Sequence, residues 1–191
     1  PVMFWIHGGA DLAGSGNEPE YDGSDLATSQ DVVVVSINYR LHLTGFFALP
    51  AINGSAAING NQAIKDQIAA LQWVHAEIGK FGGDPDNVTV FGESAGAVNT
   101  CALLATPKTL TPVKLFHKAI MQSGSCDLID VLDLAAAQQS GMALLQKIGC
   151  DAAVDPLACA RAKPIRTIVN SIRMDLPQAF TLAQSKWPYR M

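Results

Sequence analysis

The sequence predicts an α/β protein in which a mostly parallel sheet is flanked by helices. Short apolar runs recur along the chain, which is typical of strands buried on both faces. Between them lie segments with apolar residues every three or four positions, which indicates amphipathic helices. Hydrophobic residues make up 49% of the 191 residues, and charged residues make up only 16%. Much of the chain is therefore expected to be buried, with strands and helices alternating as in a parallel sheet.

Four strands are predicted from short apolar runs. Residues 2–6 read Val-Met-Phe-Trp-Ile, and residues 32–37 contain four consecutive valines. Residues 88–91 and 119–121 are shorter runs of the same kind. We expect all four to be buried in one sheet.

Three helices are predicted from the sequence. The first carries an apolar stripe at spacings of three and four residues, formed by Ile64, Ile68, Leu71, Val74 and Ile78. A small-residue helix extends from Ala95 to about Ala105 and is ended by Pro107. A third is expected over residues 132–148. Residues 41–61 contain Pro50 and two Asn-Gly pairs, which predicts a loop.

The sequence Gly92-Glu93-Ser94-Ala95-Gly96 joins the third strand to the small-residue helix. A serine at such a corner has a strained backbone, and only small residues fit two positions away, so Gly92 and Gly96 suit the turn. The free N–H groups at the helix N-terminus can stabilise a negative oxygen. This pattern predicts a nucleophilic serine, although a helix-capping serine in a glycine-rich turn is the simpler alternative.

A second glycine-rich segment, His7-Gly8-Gly9-Ala10, ends the first strand. Glycines let the backbone approach a substrate oxygen closely and point N–H groups toward it. Alone this motif is a weak signal, because most such segments are turns. Together with the serine corner it predicts an oxyanion hole.

Four blocks of the chain resemble the type-B carboxylesterase family, which includes the cholinesterases. They read PVMFWIHGGA, VVVVSINYRLHLTGFFALP, GNQAIKDQIAALQWVHAEIGKFGGDPDNVTVFGESAGA and LFHKAIMQSGS. The likeness runs in order from Pro1 to Ser125 and continues weakly to Lys163. It implies an α/β-hydrolase fold and serine-dependent hydrolysis of a small-molecule carboxylic ester.

The resemblance also implies roles for particular residues. Ser94 corresponds to the catalytic nucleophile, and the N–H groups of Gly9, Ala10 and Ala95 correspond to the oxyanion hole. Supporting positions are Gly8, which opens the oxyanion loop, Glu93 beside the nucleophile, and Ser123, a buried serine that supports the triad. Glu93 could equally be an ordinary loop acid, and Ser123 an ordinary buried hydroxyl.

A base for Ser94 is missing from the chain. In this fold the order is serine, then Asp or Glu, then His, yet only His117 follows Ser94 and no acid lies between them. His117 is interpreted as structural, and His7 as orienting the oxyanion loop. The resemblance places the family's acid and His beyond residue 191. We therefore expect residues 1–191 to form part of one α/β-hydrolase domain, with no second domain, and to be nearly inactive alone.

The beginning of the chain agrees with this expectation. The first predicted strand starts within two residues of Pro1, and the sequence has no initiator Met. The chain is therefore interpreted as a piece of a longer protein, whose remainder is its expected partner.

Four cysteines raise the question of disulfides. The resemblance implies a bond between Cys150 and Cys159, which favours secretion, although two reduced thiols in a cytoplasmic enzyme remain an alternative. Cys101 is interpreted as a small buried residue, and Cys126 as a free thiol. No Cys/His spacing resembles a zinc site, and neither a metal nor an organic cofactor is expected.

Charge and hydropathy exclude other classes of partner. The net charge is −4 and the 13 basic residues are scattered, so no nucleic-acid site is expected. The apolar runs are too short to span a membrane. Smaller expectations are an ion pair between Arg40 and Asp66, and core positions for Trp5 and Trp73.

A pocket rim is a further expectation. Residues of the loop over positions 11–23 could contribute to it, namely Asp11, Leu12 and Tyr21.

Two alternative functions stay open at this point. A hormone-sensitive-lipase-like esterase would share the His-Gly-Gly loop and the serine corner. A non-catalytic, cholinesterase-like adhesion domain would use the fold as a binding surface, although the intact Ser94 argues against it.

Overall fold

The computed structural model describes residues 1–53, 55–128 and 133–171. The chain divides into two compact units. The first contains Pro1–Phe47 and Gly60–Leu134, and the second contains Ala48–Asn59 and Ala135–Met191. The expectation of one domain without a second stays a prediction.

The described residues form six strands and seven α-helices. The strands are β1 (Val2–Ile6), β2 (Val33–Ser36), β3 (Ala48–Leu49), β4 (Ile58–Asn59), β5 (Val88–Glu93) and β6 (Lys118–Gln122). The helices are α1 (Ser24–Gln30), α2 (His42–Phe46), α3 (Gln62–Glu77), α4 (Ala95–Ala105), α5 (Leu134–Lys147), α6 (Pro156–Ala162) and α7 (Ile165–Ser171).

The first unit is built on a four-stranded sheet in the order β2-β1-β5-β6, and all three pairings are parallel. The two central strands carry the most deeply buried side chains, because they have a neighbour on either side. Val2, Phe4 and Ile6 of β1 are fully buried, as are Val88 and Val90 of β5. The mostly parallel sheet predicted from the sequence is confirmed.

The two outer strands are less buried than the sequence suggested. The valines of β2 are only partly buried, and Ile120 and Met121 of β6 are 45% and 37% exposed. Among the described residues no further strand pairs with the outer edge of β2 or β6. The expectation that all four strands are buried is therefore wrong for these two, because each lacks one neighbour.

Helix α3 buries the stripe that predicted it. Ile68, Leu71 and Val74 pack in the core of the first unit, and Ile78 continues the stripe in a short 3-10 turn beyond the helix. Trp5 is buried as expected, but Trp73 is 47% exposed. The prediction for Trp73 is wrong because its position lies off the buried stripe, where it instead contacts the ring of Phe81.

Residues 41–61 contain more regular structure than predicted. Helix α2 occupies part of this segment, and β3 pairs antiparallel with β4 in the second unit. Both strands have only two residues, which is too short for a periodic pattern to reveal them. Helix α1 was likewise not predicted.

The ion pair between Arg40 and Asp66 is confirmed. The guanidinium Nε and Nη2 atoms each lie 2.7 Å from a carboxylate oxygen of Asp66. The Arg40 backbone N–H also donates to that carboxylate, at 3.0 Å. This arrangement fixes the chain after β2 to helix α3.

The described residues of the second unit form helices α5, α6 and α7 besides the strands β3 and β4. Helix α6 begins at Pro156 and is capped by Asp155, whose carboxylate accepts the Ala158 N–H at 2.9 Å. The disulfide implied for Cys150 and Cys159 is present, with Cα atoms 5.6 Å apart. Helix α5 agrees with the third predicted helix over 134–147, whereas residue 132 lies outside the described residues.

None of the helices in the described residues is long and apolar enough to cross a bilayer. The same residues contain no group of three or more His, Cys, Asp or Glu side chains arranged to hold a metal ion.

Candidate active site

The corner at Ser94 lies between the end of β5 and the start of α4. Its backbone angles are φ 54° and ψ −119°, a conformation that residues with a side chain rarely adopt. The Ser94 N–H donates to the Gln122 carbonyl at 2.8 Å, and the Ser94 carbonyl accepts the Ala97 N–H at 3.0 Å. These bonds hold a strained turn between the sheet and the helix.

Two glycines make this turn sterically possible. A Cβ atom at Gly92 would lie 2.5 Å from the Gly96 carbonyl, and one at Gly96 would lie 2.1 Å from the Ile6 carbonyl oxygen. Both distances are far below van der Waals contact, and the neighbouring atoms are backbone. The corner therefore requires glycine on both sides of the serine.

A third glycine lies against the corner from the neighbouring strand. A Cβ atom at Gly124, just after β6, would lie 2.7 Å from the Ser94 carbonyl oxygen. The Gln-Ser-Gly sequence therefore closes one side of the turn.

The loop after β1 lies directly beside this corner. Ile6 is in register with Gly92, so both chains leave the sheet at the same edge. A Cβ atom at Gly8 would lie 3.2 Å from the Ser94 Cβ and 2.9 Å from the Glu93 carbonyl oxygen. Gly8 is thus the point of closest approach between the two motifs.

Three successive residues of this loop have left-handed backbones. The φ angles are 105° at Gly9, 56° at Ala10 and 57° at Asp11. Within the described residues the N–H groups of Gly9 and Ala10 donate to no acceptor. The Ala95 N–H belongs to the first residue of α4, where amides have no partner inside the helix. All three predicted oxyanion donors thus lack a partner in the part of the chain that the structure describes.

Three contacts from distant parts of the chain, two of them from side chains, hold the loop in this shape. The Tyr39 hydroxyl donates to the His7 carbonyl at 2.7 Å, and the His42 N–H donates to the Asp11 carbonyl at 2.6 Å. The Asn99 amide of helix α4 donates to the Asp11 carboxylate at 2.8 Å. We call His7–Asp11 together with these three partners the loop network.

His7 lies fully buried at the base of this loop. Its ring stacks on Tyr39 with centroids 4.5 Å apart, and its Nδ1 lies 2.8 Å from the Gly8 carbonyl oxygen. A Cβ atom at Gly14 would lie 2.7 Å from the same Nδ1. The imidazole is thus packed on several sides, as expected for a residue that orients the loop.

Burial controls the ionisation of the loop network. The pKa of Asp11 is raised mainly by burial, while the hydrogen bond from Asn99 and the nearby Tyr39 hydroxyl oppose that rise. Burial and the nearby Asp11 carboxylate raise the pKa of Tyr39, so its hydroxyl stays protonated and can donate.

In the described part of the chain the Ser94 hydroxyl has no hydrogen-bond partner, and none of the four histidines bonds to it. Two histidines are engaged elsewhere by their Nδ1 atoms. His42 accepts the Leu43 N–H at 2.8 Å, and His117 accepts the Val88 N–H at 3.3 Å. The structure therefore brings the nucleophile and loop motifs together without a base.

Glu93 and Ser123 flank the corner. Glu93 is the last residue of β5 and is partly buried, with its carboxylate next to Gly8. Ser123 follows β6, has φ 54° and is exposed. The expectation of a buried Ser123 is thus not met in this chain, because β6 is an outer strand.

A disulfide between Cys101 and Cys126 corrects the interpretation of both residues. Their Cα atoms lie 5.4 Å apart, so Cys126 is not free and Cys101 is not simply a small buried residue. The bond links helix α4, which follows Ser94, to the segment after β6. Twenty-five residues separate the two cysteines, and their proximity depends on β6 returning beside β5.

Tyr39 and Asn99 were missed by the sequence reasoning. Each contacts the loop from a distant part of the chain, and no motif spacing marks them. For Asp11 the sequence predicted only a place at the rim of a pocket. The one available signal was the presence of polar residues in segments that are otherwise apolar, such as Asn99 in helix α4.

Comparison with known proteins extends this description. A family model described as "Carboxylesterase family" matches residues 1–188. The para-nitrobenzyl esterase of Bacillus subtilis (strain 168) is 45% identical over 175 residues, covering 91% of this chain and 34% of that protein. Carboxylesterase 5A of Felis catus is 41% identical over 178 residues, covering 89% of this chain and 30% of that protein.

Solved structures give the same result. A PNB esterase structure superposes with a TM-score of 0.79 at 41% identity, covering 98% of this chain and 35% of that chain. This chain therefore spans about a third of the length of the proteins that it matches.

Proposed function

This chain belongs to the carboxylesterase family and has the α/β-hydrolase fold, and we propose that the protein to which it belongs is a serine carboxylic-ester hydrolase with Ser94 as its nucleophile. The observation that carries the proposal is the corner itself. Ser94 has a strained backbone at the N-terminus of α4, next to a loop whose Gly9 and Ala10 N–H groups have no partner among the described residues. Strain of this kind persists only where the surroundings enforce it, and it is concentrated at functional sites.

In the proposed mechanism the Ser94 hydroxyl attacks the carbonyl carbon of the ester. The carbonyl oxygen becomes an oxyanion, which the N–H groups of Gly9, Ala10 and Ala95 stabilise. Loss of the alcohol leaves an acyl group on Ser94, and water then releases the carboxylic acid. No metal or organic cofactor takes part in these steps.

The general base and its acid are proposed to come from residues that this chain does not contain. Two observations support this. No histidine of the chain hydrogen-bonds to Ser94, and the matched proteins are about three times as long as this chain. Among the described residues no strand pairs with the outer edge of β6, so a further parallel strand could add there. The remainder of the protein is thus the proposed partner of this unit.

The proposed substrates are small carboxylic esters. The names of the relatives include para-nitrobenzyl and carboxyl esterases, which supports this class. The two disulfides favour an oxidising, extracellular location, because such bonds are rare in the cytosol.

Of the two alternatives, the family match favours type-B esterases over a hormone-sensitive-lipase-like enzyme. The adhesion-domain alternative is opposed by the intact corner, since a purely binding surface has no need of a strained serine beside free N–H groups.

The proposal is tested by substituting Ser94 in the whole protein. Ser94→Ala is expected to lower hydrolysis of a para-nitrophenyl ester by roughly 10⁴-fold or more. A fluorophosphonate probe followed by peptide mass spectrometry is expected to label Ser94. Ser29→Ala, an exposed serine on α1, serves as the control and should leave both results unchanged. An unlabelled Ser94, or a fully active Ser94→Ala variant, would falsify the proposal.

The location of the base is tested separately with residues 1–191. This chain should hydrolyse the same ester no faster than its own Ser94→Ala variant, with folding checked by circular dichroism. Serine-dependent turnover near the rate of the whole protein would show that the base lies within these residues.

A further inference from the structure

Asp11 occupies an unusual place for a carboxylate. It directly follows the two loop residues proposed as oxyanion donors, and its own φ is 57°. Asp tolerates this left-handed conformation better than most residues, but Ala10 before it does not. Two adjacent residues with side chains in this region require contacts that hold them there.

Those contacts reach Asp11 from two elements. Its carbonyl accepts the N–H of His42, the first residue of α2, at 2.6 Å. Its carboxylate accepts the Asn99 amide at 2.8 Å, and Asn99 is only 3% exposed on the second turn of α4. Ser94 precedes the first residue of this same helix.

The bond between Asp11 and Asn99 is therefore the side-chain link between the oxyanion loop and the nucleophile helix. A hydrogen bond to a charged acceptor is stronger and more directional than one between neutral groups. Because Asn99 is buried on a helix, its amide is a fixed anchor rather than a mobile one. Movement of the loop relative to Ser94 would break this bond.

We propose that Asp11, acting through Asn99, is a positioning residue that holds the Gly9 and Ala10 amides at the correct distance from Ser94. The inference rests on the proposed function, since it assigns a support to the same oxyanion hole. Neither residue touches the reacting atoms in this role. Their effect is on where the loop amides lie when the oxyanion forms.

The test uses the whole protein and a para-nitrophenyl ester. Asp11→Ala and Asn99→Ala are each expected to lower kcat by roughly 10- to 100-fold, because small displacements at a reacting centre have effects of this size. KM should change by less than about threefold, since the oxyanion forms after the substrate binds. The double variant should be no slower than the slower single variant, because both remove one shared link.

Conservative and control variants complete the test. Asp11→Asn keeps an oxygen that can accept the Asn99 amide, so it should recover kcat to within about threefold of the unmodified protein. Thr109→Val removes the fully buried hydroxyl that donates to the Leu103 carbonyl at 2.9 Å near the far end of α4. It should lower stability and leave kcat unchanged. If Asp11→Ala does not fold, Asn99→Ala carries the test, since alanine favours a helix.

The proposal is overturned if Asp11→Ala and Asn99→Ala retain kcat, if their effects multiply in the double variant, or if Asp11→Asn is as slow as Asp11→Ala. Ser94→Ala is measured in parallel. Full activity of that variant would reject the proposed function itself, whereas an inactive Ser94→Ala beside unaffected Asp11 variants would reject the positioning role alone.

Discussion

The two motifs at the edge of the sheet are both strained, but they are held by different means. At the Ser94 corner, the constraint is steric and involves main-chain atoms of Gly92, Gly96 and Ile6. The loop His7–Asp11 is also held by side chains from distant segments: the Tyr39 hydroxyl donates to the His7 carbonyl, and the Asn99 amide donates to the Asp11 carboxylate. The comparison shows that the corner depends on the absence of side chains, whereas the loop, which also needs glycine at position 9, depends in addition on side chains from elsewhere in the chain.

This difference predicts how each motif fails. A substitution at the corner should disrupt the fold, because backbone atoms cannot move aside without breaking the sheet or the helix. A substitution in the loop network should leave the fold intact while moving the loop amides, so that activity falls more than stability.

The largest effect is expected at Gly96. In Gly96→Val the new Cβ would lie 2.1 Å from the Ile6 carbonyl oxygen, so the protein should lose about 3 kcal/mol of unfolding free energy or more. Urea denaturation of the whole protein measures this. Gly79→Ala is the matched control, because no heavy atom lies within 4 Å of its new Cβ, and it should change stability by less than about 0.5 kcal/mol. Equal stability of the two variants would contradict the steric account.

The next effect is expected at Gly9. Its φ is 105°, and a Cβ atom would lie 2.1 Å from the Ala13 carbonyl oxygen, so Gly9→Ala should displace the loop and lower kcat by roughly 100-fold. Steady-state kinetics with a para-nitrophenyl ester measures this. Gly82→Ala has a comparable φ of 81° with open space around it, and should lose stability without losing kcat. A similar fall in kcat for both variants would show that strain alone is responsible.

A smaller effect is expected at Tyr39. Tyr39→Phe removes the hydroxyl that donates to the His7 carbonyl in the buried base of the loop, which should cost about 1–2 kcal/mol. Thermal or urea unfolding measures the loss. The control is Tyr21→Phe, whose hydroxyl has no hydrogen-bond partner among the residues described, and which should change stability by less than about 0.5 kcal/mol. If Tyr39→Phe were as stable as the unmodified protein, the Tyr39 hydroxyl would have no part in holding the loop network.

The smallest effect is expected at the ion pair that anchors the segment after Tyr39. The pKa of Asp66 is lowered by its hydrogen bonds with Arg40, so the carboxylate is stabilised in the folded state. The contribution of this carboxylate to the unfolding free energy is present above its unfolded pKa of about 3.9. It is lost as the pH falls through the lower pKa of the folded state. Because Arg40 is exposed, Asp66→Asn should cost only about 0.5–1 kcal/mol at pH 7.

The measurement compares the unfolding free energies of the unmodified protein and of Asp66→Asn from pH 7 down to pH 3. The difference between them should shrink at the acidic end. A difference that stays constant with pH would mean that the carboxylate charge contributes nothing.

Parts of the molecule were predictable because their causes are local. Helix α4 begins at Ala95 and ends at Ala105, as its small residues and Pro107 predicted. Strand β1 also has the predicted limits. In these cases the residues that determine an element lie inside it or next to it.

Other features were mispredicted where a distant neighbour decides the outcome. The run of valines in β2 has the same apolar pattern as a central strand, yet the outer position of β2 leaves these side chains partly exposed. Cys126 looked free because nothing near it in sequence indicates Cys101, which lies 25 residues away on α4. The exposure of Trp73 depended on which face of α3 meets the core.

The sequence by itself determined the order of the four strands of the parallel sheet and of helices α3, α4 and α5, the glycine-flanked corner at Ser94 and the loop motif before it, since each depends on backbone geometry that neighbouring residues impose. Only the tertiary structure decided that Asn99 meets Asp11, that Cys101 meets Cys126, and that Ser123 is exposed. These outcomes require knowing which segments the parallel sheet brings together, and no local pattern encodes a contact between residues that are 25 or 88 positions apart.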